Sequence, residues 1–448
     1  MIIPEAPPNT FDLLQEIVKR GDTDPVALMQ QASAVDPKGR YLHWDEMRRR
    51  TPPNEFSHDE WWVSTALARS AVARPLPLIG TNGQPFTFAN VDRVQELVHD
   101  VDRLASGQIM ADDVVTNLRS SKRYLVSSLV EEAIASSQLE GASTTRQVAK
   151  EMLQTGRPPR DQSERMIVNN YQAMELAHDA SGEPLSEELL LNMHREVTDG
   201  TLDDPNDAGR LQTPNEERIA IFWPQNDLLL HRPPPAEELP SRLTRLCEFA
   251  AGASTEGFIH PVVRAIIVHF WIGYDHPFVD GNGRTARALF YHAMLGSGYW
   301  LTRYLTISSI LKKAPAKYTR SYLFAETDSN DITYFVIYQL EVIRRAIDAL
   351  YEYLQRKVDE TREIEAMLRG SSNLNHRQLA IVGDALRDPT EPFTVKAQQG
   401  RNGVTYESAR SDLVALEQLG LFEKRRVGKK HVFTAVPELG KRLRQLGN

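Results

Sequence analysis

Residues 262–274 are apolar nearly all round, interrupted by little more than Arg264 and His269. A helix without a polar face must be enclosed by others, so this stretch predicts the buried centre of a mainly helical domain. It is far too short to span a bilayer. The enclosing helices are legible as amphipathic faces: Leu125, Leu129, Ala133 and Ile134; Val168, Tyr171, Met174 and Leu176; Leu189, Met193 and Val197. One non-helical island, residues 218–224 followed by 228–230, reads as a short β-hairpin.

The chain of 448 residues divides into three regions. Residues 1–120 alternate helical stretches with proline breaks at Pro7-Pro8, Pro52-Pro53 and the Pro75/Pro77 region. Residues 121–370 are the helical body, ending at Gly370-Ser371-Ser372-Asn373. Residues 373–448 read as an apolar helix (378–386), a short helix after Thr394, a turn at 400–403, a longer helix (405–419) and two strands (421–425 and 431–435) around Gly428. That is the order of a winged helix-turn-helix. This last region carries 13 Lys/Arg against 8 Asp/Glu, a balance of +5 on a chain whose total is −8. If any part meets nucleic acid, it is this one. Cys247 stands alone, which excludes an internal disulfide and any Cys/His zinc cluster. The N-terminus lacks the basic and apolar regions of a secretion signal, so a cytoplasmic location is expected.

Chemistry concentrates in His276-Pro-Phe-Val-Asp-Gly-Asn-Gly-Arg-Thr-Ala-Arg287. Pro277 breaks the incoming helix, and Gly281 and Gly283 allow backbone N–H groups to converge at the start of the next one. Such a nest binds anions, phosphate above all. Asp280 can give one carboxylate to a Mg²⁺ whose other ligands are water and phosphate oxygens. Arg284 and Arg287, three apart on one helical face, form a fork for outer phosphates. His276 can act as general base toward a hydroxyl. A base, a metal carboxylate, an anion nest and a cationic clamp within twelve residues point to phosphoryl or nucleotidyl transfer.

The stretch resembles the Fic family signature HPFx[D/E]GNGRxxR at every specified position. The likeness extends upstream through His260-Pro261, His269-Phe270 and the helix holding residues 191–194, covering about residues 125–340. It implies a mainly α fold, a Fic-type helical bundle with a small β-hairpin flap, to which the C-terminal winged-helix domain is appended. It also implies a protein adenylyltransferase that moves AMP from ATP to a Ser, Thr or Tyr hydroxyl of a target protein. On that likeness His276 deprotonates the hydroxyl and Asp280 holds Mg²⁺. Gly281, Asn282 and Gly283 stabilise the α-phosphate, and Asn282 thereby counts as catalytic. Arg284 and Arg287 bind the outer phosphates, and Phe278 packs inward.

A second element, Ser136-Ser-Gln-Leu-Glu140-Gly141, resembles the family's inhibitory signature [S/T]xxxE[G/N]. Gly141 reads as the stop of a helix around residues 125–141, which sets the Glu140 carboxylate at the negative end of the helix dipole, where it needs an outside cation. Arg287 is the natural one, and the pair would block the γ-phosphate site. The hairpin holding Ile219, Ala220 and Ile221 takes the place of the flap that aligns a target strand. Its sequence departs from the family's usual Val-x-Ile-Gly-Gly. Arg401, Ser408 and Arg410 on or before the recognition helix, with Arg425, Arg426, Lys429 and Lys430 on the wing, are the residues such a module aims at DNA phosphates. The partners implied are a target protein, duplex DNA through residues 373–448 and a second copy of the chain as a homodimer, with no membrane. Two alternatives stand beside the transferase: a DNA-binding regulator whose Fic domain senses nucleotide, and a Fic enzyme that removes AMP. The remaining histidines, His194, His260, His269 and His292, read as structural residues of apolar helices.

Overall fold

A computed structural model describes residues 3–21, 24–106, 118–223, 227–253, 257–369, 374–387, 391–427 and 430–446. The chain divides into two compact units, 1–350 and 351–448. The division falls inside one long helix, Thr333–Arg369. The boundary expected at Gly370–Asn373 lies outside the described residues.

In the first unit the apolar stretch is the helix Pro261–Asp275, whose residues Val262, Ile266, Ile267, Phe270 and Trp271 are all buried. The helix Asn282–Gly296 packs directly on it. Around that second helix lie Leu118–Leu139, Gln162–Asp179 and Glu187–Thr198. Leu129, Ala133, Ile134, Leu189, Met193 and Val197 face the core as their spacing predicts. The side chain of Leu125 lies outside the described ones. In Gln162–Asp179 the buried stripe is Ile167, Ala173, Met174 and Ala177, with Val168 and Tyr171 at its margin. Among the described residues, no helix is long and apolar enough to cross a membrane.

Residues of the N-terminal region build a small core of their own, in which Leu13, Ile17, Trp44, Trp61 and Trp62 meet. They belong to the same unit as the helical body. Buried Arg69 donates to the Ala34 and Leu42 carbonyls and to the Tyr334 hydroxyl, which in turn donates to Asp328 at 2.6 Å. Tyr41 donates to Asp331 at 2.5 Å. The Pro75/Pro77 region is a strand rather than a break. β1 (Ala73–Ile79) pairs antiparallel with β2 (Pro85–Ala89), and Leu76 and Leu78 point inward while the prolines alternate outward. A two-stranded ribbon tolerates proline because its outer edge makes no ladder bonds.

A second hairpin, β3 (Ile221–Trp223) with β4 (Leu228–His231), stands where the flap is expected. Its first strand opens at Ile221, so Ile219 and Ala220 lead into it and are not ladder residues. The opposite leg there is Pro233-Pro-Pro235, which has no N–H to give a ladder, and the Arg218 side chain donates to the Pro234 carbonyl instead.

The second unit runs through helices His376–Arg387, Val395–Asn402 and Tyr406–Gln418, strands β5 (Phe422–Val427) and β6 (Lys430–Ala435), and a closing helix Leu439–Leu446. Its core gathers Ile381, Val382, Leu413, Leu416, Leu421, Phe422 and Phe433. The expected turn at 400–403 is shorter than predicted. Residues 400–402 complete the helix, and only Gly403, at φ +60°, takes the left-handed conformation that ends it. Gly428 and Lys429 lie outside the described residues.

Candidate active site

The site is built where Pro261–Asp275 stops and Asn282–Gly296 starts. The stop is His276 itself, in the left-handed region at φ +43°, with its N–H donating to the Ile272 carbonyl at 3.0 Å. Glycine usually fills such a C-cap. A histidine held there is an unfavourable backbone choice that turns its ring into the loop. Asn282 orients the ring. Its amide oxygen accepts from the Phe278 N–H at 3.0 Å, and its amide nitrogen donates to the Phe278 carbonyl at 2.8 Å and to His276 Nδ1 at 3.2 Å. Those two backbone partners fix which end of the amide is nitrogen, so Nδ1 is the acceptor and the ring hydrogen sits on Nε2. Taking a proton at Nε2 therefore requires the other tautomer, with Nδ1 released from the amide.

Phe278 is fully buried and stacks on the His194 ring, 3.6 Å between centroids. His194 Nδ1 accepts from the Gly209 N–H, leaving Nε2–H to donate to the Asp280 carbonyl at 2.9 Å. Gly281, at φ +81°, ends the loop, and a β-carbon there would come within 2.6 Å of the Thr198 methyl. Both conformation and space exclude a side chain at this point.

The amides that open the next helix, Asn282 to Arg284, have no partners within it, the geometry of an anion nest. Arg284 is fully buried, donating to the Val197 carbonyl at 3.0 Å and to Asp280 at 3.2 Å. Its buried Nε finds no partner among the described residues. Asp280 is itself exposed, and its other oxygen accepts from the Gly281 N–H.

Arg287 is also buried. It donates through Nε to the Ser136 hydroxyl at 2.8 Å, and through Nη2 to the Ser136 carbonyl at 3.0 Å and to Glu140 at 2.8 Å. Burial pulls its pKa down, and Glu140, together with Tyr318 and Glu132, more than offsets that. Glu140 lies just past the end of Leu118–Leu139, where Gly141 adopts φ +95°. A β-carbon added to Gly283 would run into the Glu140 carboxylate, 3.0 Å from Cδ. The carboxylate therefore sits against the first turn of Asn282–Gly296 and is bonded to its arginine.

His194 and Arg218 are functional supports that the sequence did not reveal. Both act on main-chain groups far away in sequence, which leave no mark on spacing.

Burial lowers the His276 pKa to about 3, helped by His231 and Arg218 nearby. The group stays neutral, and able to accept a proton, until the pH falls to that value. We expect kcat/KM, which reports the free enzyme, to show no acid limb from this ring between about pH 5 and pH 8. A loss centred near the ordinary histidine value would show instead that the ring is solvated.

Residues 184–294 match the Fic/DOC family. This segment is a Fic/DOC domain. A stretch of 110 residues is 34% identical to the protein adenylyltransferase fic-1 of Caenorhabditis elegans, covering 25% of this chain and 19% of that one. Another of 69 residues is 35% identical to the protein adenylyltransferase Fic of Nematostella vectensis, covering 15% and 16%. The chain thus spans under a fifth of the length of these relatives. A solved Fic family protein from Desulfovibrio desulfuricans superposes with TM-score 0.53 at 18% identity, over 78% of this chain and 97% of that one, which shows the Fic fold.

Proposed function

We propose that the chain is a protein adenylyltransferase, transferring AMP from ATP to a side-chain hydroxyl of a target protein, and that Glu140 holds it inactive. The observation that carries this reading is the Glu140 carboxylate pressed against Gly283 and bonded to buried Arg287. An anion site of helix amides and guanidinium is filled from within by the chain's own anion. The names of the matching relatives, protein adenylyltransferases, support the same chemistry.

In the reaction the target hydroxyl oxygen attacks the α-phosphorus and its proton passes to His276. The bond from the α-phosphorus to the bridging oxygen breaks, and pyrophosphate leaves. The Asn282 and Gly283 amides face the growing negative charge at the α-phosphate, the point where fixed donors lower a barrier most. Arg284, whose Nε has no partner among the described residues, and Arg287, once Glu140 withdraws, take the outer phosphates. The single exposed carboxylate of Asp280 fits Mg²⁺, which takes one or two protein oxygens with phosphate and water. No cluster of three His, Cys, Asp or Glu side chains occurs among the described residues, so a metal held by protein ligands alone finds no place there. Asp280 would hold the ion, and the ion would neutralise phosphate charge. The flap leaves Ile219, Phe222 and Leu229 exposed, an apolar edge suited to a target strand.

Incubating the purified protein and a cell lysate with ATP labelled in the α-phosphate tests the reading. Covalent label in a protein band, lost with His276→Ala, is expected. Absence of label from every protein, with Glu140→Gly as well as the parent, would refute it.

We propose further that the second unit contacts duplex DNA, in the cytoplasm. Exposed Lys424, Arg425 and Arg426 on β5 and exposed Arg410 on Tyr406–Gln418 support it. Binding of a DNA duplex should weaken steeply with salt, and reversing the charges of Arg425 and Arg426 should reduce the log–log slope by about 2. A salt-independent interaction would assign this unit to protein docking.

A further inference from the structure

The end of Pro261–Asp275 is capped by the segment that carries the flap. The last carbonyls of a helix lack intrahelical partners. Here the last two, of Tyr274 and Asp275, and the two that follow them, of His276 and Pro277, accept from residues 212–231. His231 Nε2 donates to the Tyr274 carbonyl at 2.7 Å. Arg218 Nη2 donates to the carbonyls of Asp275 at 2.6 Å and His276 at 3.1 Å. The Gln212 N–H donates to the Pro277 carbonyl at 2.9 Å. Arg218 also ties the two legs of the hairpin together, through Nε to the Pro234 carbonyl at 2.8 Å and through Nη1 to the Gln212 side chain. His231 is buried and closes β4, and its Nδ1 lies 2.7 Å from Glu326 on the helix Pro315–Thr327.

Resting on the transferase reading above, we propose that Arg218 and His231 are positioning residues that lock the flap to the backbone of the catalytic base. They hold an acceptor strand and the His276 ring in one register. Their bonds to this loop run to main-chain carbonyls, those of Tyr274, Asp275 and His276. The flap is a short ribbon with an irregular register between Ile221 and Phe222, too small to hold itself in place. Its position is set by these bonds to the helix end. A target hydroxyl delivered by the flap therefore meets His276 at a distance that Arg218 and His231 determine. Misplacement on the scale of 1 Å costs about 10²-fold in a step that depends on orientation.

The test combines amide hydrogen exchange on the full chain with transfer kinetics. Arg218→Met and His231→Ala should raise exchange by about tenfold or more both in the flap strands (221–223 and 228–231) and in the loop 276–283, leaving 284–296 unchanged. In a Glu140→Gly background, with the chain itself as acceptor, both should lower kcat by about 10²-fold at unchanged ATP affinity. His231→Gln should restore most of the rate, because its amide can place an N–H where Nε2 stood. Arg218→Lys should restore little, since one ammonium cannot serve both legs. Exchange rising in the flap alone, or uniformly along the chain, would overturn the proposal. So would a glutamine no better than alanine, or ATP affinity falling in step with kcat. A Glu140→Gly parent that transfers no AMP would refute the transferase reading, whereas the exchange pattern decides the coupling without it.

Discussion

Glu140→Gly raises AMP transfer by roughly ten- to a thousandfold over the parent protein, an effect of about 1.4–4 kcal/mol on the barrier. The substitution leaves every reacting group in place. Arg287 keeps its two bonds to Ser136, so the guanidinium stays aimed at the loop when the carboxylate goes. The Leu118–Leu139 helix has ended before position 140, so a glycine there costs little helix stability. What changes is the occupancy of the nest: the space against Gly283 opens, and a triphosphate can settle with its α-phosphate in line with the incoming hydroxyl. Moving a two-state balance from 1:99 to 99:1 takes about 5.5 kcal/mol, and one ion pair with a part-exposed carboxylate supplies only a share of that. Hence the range stops at a thousandfold. Arg287→Ala does not mimic the effect, because it removes the γ-phosphate partner together with the inhibitor's anchor. Steady-state transfer by the three proteins at one ATP concentration checks this, and a fall in rate with Glu140→Gly would make Glu140 a participant in the chemistry.

His276→Ala in the Glu140→Gly background should lower transfer by about 10²–10⁴, the usual cost of losing a general base. ATP affinity should hold, since the nest amides and both arginines are untouched. Asn282 keeps its amide plane after the ring is gone, because the Phe278 N–H and carbonyl still hold it. Alanine also takes the left-handed backbone poorly, so Tm should fall slightly. Calorimetric ATP titration beside the rate assay separates the two effects. Equal losses of affinity and rate would make His276 a nucleotide-binding residue.

Much of this site is written locally. Residues 276–287 are one loop and one helix start, so their spacing alone brings Asp280, Arg284 and the nest amides together. The long helices were legible because a single apolar face recurs over many turns, as in Glu187–Thr198. Gly141 marked the end of its helix and so placed Glu140 at a terminus. That the carboxylate also touches Gly283, across more than 140 residues of chain, depends on how two helices pack. The roles of His194, Arg218 and His231 were hidden for another reason. Each bonds to backbone carbonyls or amides, which every residue possesses, so nothing in the partner's sequence announces the contact. The strand at Ala73–Ile79 was masked by Pro75 and Pro77, which hid the period-two burial of Leu76 and Leu78. The helix Leu439–Leu446 was also missed, where eight residues follow closely on Pro437 and hold only a short periodic pattern.

The most direct measurement uses two preparations of ATP, labelled at the α- or the γ-phosphate, with the Glu140→Gly protein. The α-label should appear in the acceptor protein and the γ-label in released pyrophosphate, with neither transfer seen for the His276→Ala form. Covalent γ-label in the acceptor would contradict the account, because the phosphorus attacked would then be the terminal one.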